Sequence, residues 1–155
     1  MAAFEVVMAT PAIIDAVVAD VRQADVDELW AVAQVTPRSA IAYGAEHSTA
    51  FALLADGVPV CVFGIVPYSV LSGAGIPWMV GTPGIDRHAV GFIRRCRMDL
   101  ARFFGEWDKL FNVVDARNTK AIRWLKWLGF SVSDPTPYGP LGLLFCPFYM
   151  EPHHV

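Results

Sequence analysis

The stretch from Asn112 to Phe130 constrains the fold most, because a strand, a turn, a helix start and a helix stop can each be read from it. Lys109 to Val114 alternates and carries β-branched and aromatic residues, the pattern of a buried strand. Asn118 can cap the helix that follows, its side-chain oxygen accepting from an N–H of the first turn that has no helical partner. Ala121, Ile122, Trp124, Leu125 and Leu128 then fall on one side of a 3.6-residue helix, and Lys120, Arg123 and Lys126 on the other. Such a helix packs on a sheet. Gly129 can adopt the left-handed conformation that ends it, returning Phe130 against Leu125.

Asn118, Ala121 and the pair Gly129-Phe130 resemble the last core helix of the GNAT acyltransferase superfamily, where an Asn, a small residue and a closing Gly-Phe recur in these places. More narrowly, Asn-x-x-Ala-x-Arg-Trp-Leu-x-x-Leu-Gly-Phe is similar to the GNAT-like proteins of tailed bacteriophages, including small internal virion proteins. The resemblance implies an α/β (α+β) fold, a mixed central sheet flanked by helices, as a single domain over residues 1–155.

The remaining sequence agrees with that order. Phe4 to Met8 reads as a strand, and Thr10-Pro11 and Thr36-Pro37 each give a cap followed by proline at the first helical position. Between them Asp25 and Glu28 have the spacing of a capping box, which starts a second helix at Asp25. Asp56-Gly57 joins the apolar runs Thr49 to Ala55 and Val58 to Val66 into a hairpin. Pro67 to Gly75 reads as a loop, Ile76 to Val80 as a strand and His88 to Phe104 as the longest helix, with Phe92, Cys96, Leu100 and Phe103 set to meet a sheet containing Phe111 and Val113. Strand, helix, strand from Ile76 to Val114 makes a βαβ unit, so its strands should be parallel. After the turn segment Pro135 to Pro140, Leu141 to Met150 closes the sheet.

Composition narrows the partners. With 55% hydrophobic residues, 17% charged residues and a net charge of −3, the chain has either a large core or apolar surface that a partner covers. No Lys or Arg run marks a nucleic-acid surface, although Arg94, Arg95, Arg97 and Arg102 share one segment. Gly57 to Ile85 lacks charge, but Pro59, Pro67, Pro77 and Pro83 interrupt it, so no membrane span is expected. There is no signal-peptide pattern. Cys61, Cys96 and Cys146 sit among apolar residues and read as buried thiols in a reducing compartment, host cytoplasm or virion.

The resemblance also implies where chemistry belongs. Acetyl-CoA would enter where the strands Ile76 to Val80 and Lys109 to Val114 part, and its pyrophosphate would sit at the start of the helix from His88. The implied cofactor-binding residues are Met79, Val80, Gly81, Arg87, Gly91, Asn118 and Ala121. Val90 and Phe92 stand where the family pattern has small residues, and Leu125 stands where many members carry the Tyr that protonates the leaving thiolate. No carboxylate occurs from Gly57 to Ile85, so Asp86, Asp115, Tyr68, Tyr138 and His88 remain as substitutes for the base, and no catalytic residue is assigned. His153 and His154 lack a third ligand, and no metal is expected. Trp127, beside Arg123 among Lys120 and Lys126, is either covered by basic side chains or anchors a protein partner.

Two functions follow from this. The first is a phage GNAT-fold protein, catalytically degenerate and acting as a virion-associated or partner-binding protein. The alternative is an acetyl-CoA-dependent N-acetyltransferase.

Overall fold

The structure, a computed structural model, describes residues 1–152; His153 and His154 lie outside the described residues. Strand β1 (Phe4–Met8) is followed by helices α1 (Pro11–Ala19), α2 (Gln23–Ala33) and α3 (Pro37–His47). Strands β2 (Phe51–Ala55), β3 (Val58–Ser69) and β4 (Ala74–Gly81) come next, then α4 (Gly84–Arg87), α5 (Ala89–Phe104), β5 (Lys109–Asp115) and α6 (Thr119–Leu128). The short β6 (Ser131–Val132) and β7 (Thr136–Tyr138) precede β8 (Leu143–Met150). One mixed sheet runs β1-β2-β3-β4-β5-β8-β6, with β7 also paired to β8.

Local chemistry explains most boundaries. Thr10 and Thr36 cap α1 and α3 through their hydroxyl oxygens, which accept from Ile13 N–H at 3.3 Å and Ser39 N–H at 3.2 Å. Asp56 and Gly57 both have positive φ, 49° and 78°, the primed turn that suits a two-residue hairpin. Asn118 Oδ1 accepts from Ala121 N–H at 3.3 Å, and Gly129 at φ 105° lets Phe130 N–H reach the Leu125 carbonyl at 3.0 Å.

Alternation along the strands sorts the core onto two faces. Ala52, Val62 and Val80 pack with Val17 and Ile41 of α1 and α3 on one face. Leu53, Cys61 and Phe92 pack together on the other, where Leu110, Val114 and Phe148 also meet Leu125 and Leu128 of α6. Such close-packed burial is the main stabilising term.

Several expectations need correction. The segment Pro67 to Gly75 is mostly strand, because β3 and β4 pair as far as Ser69↔Ala74, and the turn segment after Asp134 contains β7. Helix α5 meets the sheet with Phe92, Cys96 and Leu100 as expected, but the aromatic partners of Phe103 lie on β2 and β3. Its Phe103 ring meets Phe51 and Phe63 edge-on at 5.1 and 5.2 Å, while Phe111 meets Tyr68. The arginines of α5 are dispersed: Arg95 pairs with Asp99 at 2.6 Å, Arg97 lies 4.3 Å over the Trp127 ring, and Arg102 lies over Phe103. Trp127 thus has the basic cover that was one of its two readings. No helix among the described residues is long and apolar enough to cross a membrane.

Helix α2 departs furthest from its local reading. It starts at Gln23, its cap residue Arg22 makes no side-chain cap bond, and Asp25 and Glu28 do not form a capping box. Both carboxylates turn inward to the sheet.

Candidate active site

The site begins where a ladder stops. Strands β4 and β5 are parallel and pair only through Ala74↔Lys109 and Gly75↔Leu110, after which they diverge. Past that point Asn112 bridges the gap, its side-chain amide donating to the Pro77 carbonyl at 2.7 Å. Pro77 carries no N–H, so it could not have continued a ladder there. The opening leads into a cavity of about 790 Å³. Trp78 and Met79 line it from β4, Asn112 to Val114 from β5, and Asn118, Ala121, Trp124 and Leu125 from α6.

Helix α2 holds the divergent ends. The N–H of Gly81, last in β4, donates to Asp25 Oδ2 at 2.7 Å, and Arg22 N–H donates to the Gly81 carbonyl at 2.9 Å. Asp25 is itself fixed by Arg22, whose Nη2 lies 2.8 Å from Oδ1. The N–H of Asp115, last in β5, donates to Glu28 Oε1 at 2.6 Å. One helix thereby braces both strands through main-chain amides, which are obligatory donors when covered.

Glu28 is the residue that the sequence reading did not propose as a site. Burial pushes its carboxyl from the ordinary 4.5 up to about 7; the Asp115 N–H opposes this, and the nearby charges of Asp25 and Asp115 reinforce it. Such a group changes charge near neutrality while facing the cavity. Its spacing from Asp25 signalled a local cap, and only the fold shows that the partner lies 87 residues away.

The substitutes read from sequence fare differently. Asp115 is a turn group: burial alone would raise its pKa, but the hydrogen bonds and charge of Arg117 lower it below the usual carboxylate range. Asp86 is exposed, 3.6 Å from Lys120 Nζ. Tyr68 and Tyr138 are exposed and outside the cavity, and His88 lies edge-on to Phe4. Leu125 is buried in the core and has no proton to give. Cys96 lines the cavity, but burial pushes its thiol up to about 12, too high to protonate a departing thiolate readily. Cys61 and Cys146 are buried free thiols.

The implied cofactor residues are brought near one another from several elements. Met79 lines the cavity, whereas Val80 is buried under α1 and α3, and the Gly81 N–H is already committed to Asp25. Asn118 and Ala121 line the cavity from the first turn of α6. Arg87 is exposed at the end of α4. Gly91 lies in the first turn of α5, where a Cβ would come within 2.5 Å of the Phe4 ring, so the glycine lets that helix close on β1. Val90 at 65% exposure faces solvent, and Phe92 is buried beside Trp124 at 5.6 Å, so neither covers the helix start. His88, which closes α4 and opens α5, gives that start no side-chain cap. No group of three or more His, Cys, Asp or Glu side chains arranged to hold a metal is present among the described residues.

Comparison with known proteins gives the fold and nothing finer. No protein-family model matches the chain, and no curated protein matches it significantly in sequence. Among solved structures, a chimeric spermidine N-acetyltransferase from Vibrio cholerae and hSSAT matches over 97% of this chain and 96% of its own, with TM-score 0.68 and 10% identity. The Vibrio cholerae spermidine N-acetyltransferase in complex with CoA and spermine matches over 95% and 94%, with TM-score 0.65 and 10% identity. The structure of yncA from Salmonella typhimurium with acetyl-CoA matches over 97% and 94%, with TM-score 0.63 and 15% identity. The chain has the GNAT fold, a mixed sheet flanked by helices.

Proposed function

We propose that this protein transfers an acetyl group from acetyl-CoA to an amine, with Glu28 as the general base. The observation that carries the reading is the parting of β4 and β5 over the cavity, with a carboxyl of pKa about 7 braced at its edge. That value lies near working pH, where a base combines availability with driving force. Glu46, exposed at the cavity, adds a second carboxylate that favours a cationic acceptor. Trp78 lines the same wall, its ring set against Gly44, where a Cβ would come within 2.5 Å.

In this reading Asn118 and Ala121 face the cofactor's arm, Met79 lines its path, and the start of α5 with Arg87 and Lys120 nearby receives the phosphates. When bound, acetyl-CoA supplies the acetyl group as a thioester. Glu28 takes a proton from the attacking amine as the C–N bond forms and the C–S bond breaks, with the electron pair leaving on sulfur. With Leu125 in the acid's usual place, the sulfur departs as thiolate and is protonated by solvent. The matched transferases support this reading over the virion-associated one, for which neither the cavity nor Glu28 has a use. A phage origin and a partner face at Trp127 and Arg123 gain no support.

Calorimetry with acetyl-CoA, followed by thiol release over a panel of mono- and polyamines, tests the proposal. Micromolar binding with amine-dependent thiol release is expected. Absence of binding at millimolar cofactor would return the degenerate reading to first place.

A further inference from the structure

Trp124 sits in the seam between α5 and α6, one turn beyond Ala121. Its ring is tilted at 32° against Phe92 and packs against both apolar clusters on that face of the sheet. Its indole N–H is buried with no hydrogen-bond partner, the one such side-chain group among the described residues. Trp78, across the sheet, shows the ordinary case, with its N–H donating to Ser48 Oγ at 3.1 Å. Buried donors are nearly always paired, because burial without a partner forfeits a hydrogen bond to water.

Trp124 lines the same cavity as Asn118 and Ala121, and its neighbours there, Phe92, Cys96, Leu100 and Leu125, offer no carbonyl or carboxylate side chain. What such a wall accommodates is a slender, largely apolar chain with an occasional carbonyl oxygen. The arm of acyl-CoA has that chemistry: methylene segments joined by amides. We infer that the Trp124 indole N–H donates to an amide carbonyl oxygen of the cofactor's arm, and so fixes the depth to which the arm enters between α5 and α6. The inference rests on the acetyltransferase reading, and it assigns Trp124 a binding role.

Trp124→Phe retains an aromatic ring against Phe92 and removes the donor. The probes are CoA, acetyl-CoA and adenosine 3′,5′-bisphosphate, which lacks the arm. The variant should bind CoA and acetyl-CoA on the order of tenfold more weakly, the size of one hydrogen bond to a buried group. Binding of the bisphosphate should be unchanged, since the phenyl ring keeps the contact with Phe92 and the phosphates bind away from it. In the wild type, the independently assigned indole proton of Trp124 should move downfield with CoA and stay in place with the bisphosphate. This second readout decides the matter even where the variant folds poorly. CoA binding with an unmoved indole resonance, or a variant that binds CoA as the wild type does, would overturn the inference and leave the acetyltransferase reading intact. Failure of the wild type to bind any of the three probes would overturn both. A response to acetyl-CoA alone would place the contact at the acyl carbonyl and overturn the amide assignment.

Discussion

Helices α2 and α6 begin alike in sequence, each with a polar residue where a cap is expected, yet they use those groups in opposite ways. In α6 the Asn118 side chain satisfies its own helix, reaching an amide 3 residues away. In α2 the Asp25 and Glu28 side chains leave their own helix uncapped and reach amides 56 and 87 residues away. A local bond stabilises one element, whereas a long-range bond fixes the relation between elements. The second kind carries the site, because it holds the open ends of β4 and β5 where the cavity forms.

The sharpest way to break this comparison is to remove the titrating group of α2. Glu28→Gln should leave the fold intact and lower kcat/KM by about 10²–10⁴, the usual contribution of a positioned base. In the wild type kcat/KM should climb as pH rises through about 7, because the carboxyl must lose its proton before it can accept another. The variant should lack that limb; a retained limb near neutrality would assign the base elsewhere. Stability has the opposite sign. A carboxyl whose folded pKa exceeds its unfolded one contributes stability that is full below the ordinary 4.5 and is lost as pH rises through about 7. Wild type should therefore lose stability relative to Glu28→Gln across that window, read from urea midpoints at several pH values.

Asp25→Ala should come next, as a loss of stability. It strands the Gly81 N–H and leaves Arg22, at 14% side-chain exposure, without its partner, the situation in which breaking a buried pair costs about 3–5 kcal/mol. Urea unfolding measures it, and a change below about 1 kcal/mol would show that Asp25 is no brace. Asn118→Ala should cost about 1 kcal/mol, the worth of a local cap. Smallest is Trp127→Ala, whose surface contact with Arg97 is worth about 0.5–1 kcal/mol in thermal unfolding.

The same contrast explains what could be read before the fold was known. Asn118, Gly129, Thr10, Thr36 and the Asp56-Gly57 turn act within a few residues of themselves, and each reading of them stands. The parallel β4 and β5 also followed from local order, since an intervening helix forces a crossover. Glu28 was misread because its spacing from Asp25 satisfied a local rule while its partner lay on another strand. Val90 and Phe92 were legible as bulky but not as directed, since helix rotation alone decides that one faces solvent and the other the core. No carboxylate lies on β4 itself; the one proposed as base, Glu28, comes from a helix early in the chain.

The brace of α2 bonds to backbone rather than to side chains. Gly81 contributes its N–H and its carbonyl to it and Asp115 its N–H, main-chain groups that every residue except proline has. The brace therefore asks nothing of the side chains at its receiving ends, while at its giving end the two carboxylates are held to their chemical type. Substitution at 25 and 28 should therefore loosen the brace, whereas substitution at 81 and 115 should be felt through other contacts: the Ile85 side chain that a Cβ at Gly81 would meet, and the bonds of the Asp115 carboxylate to Arg117.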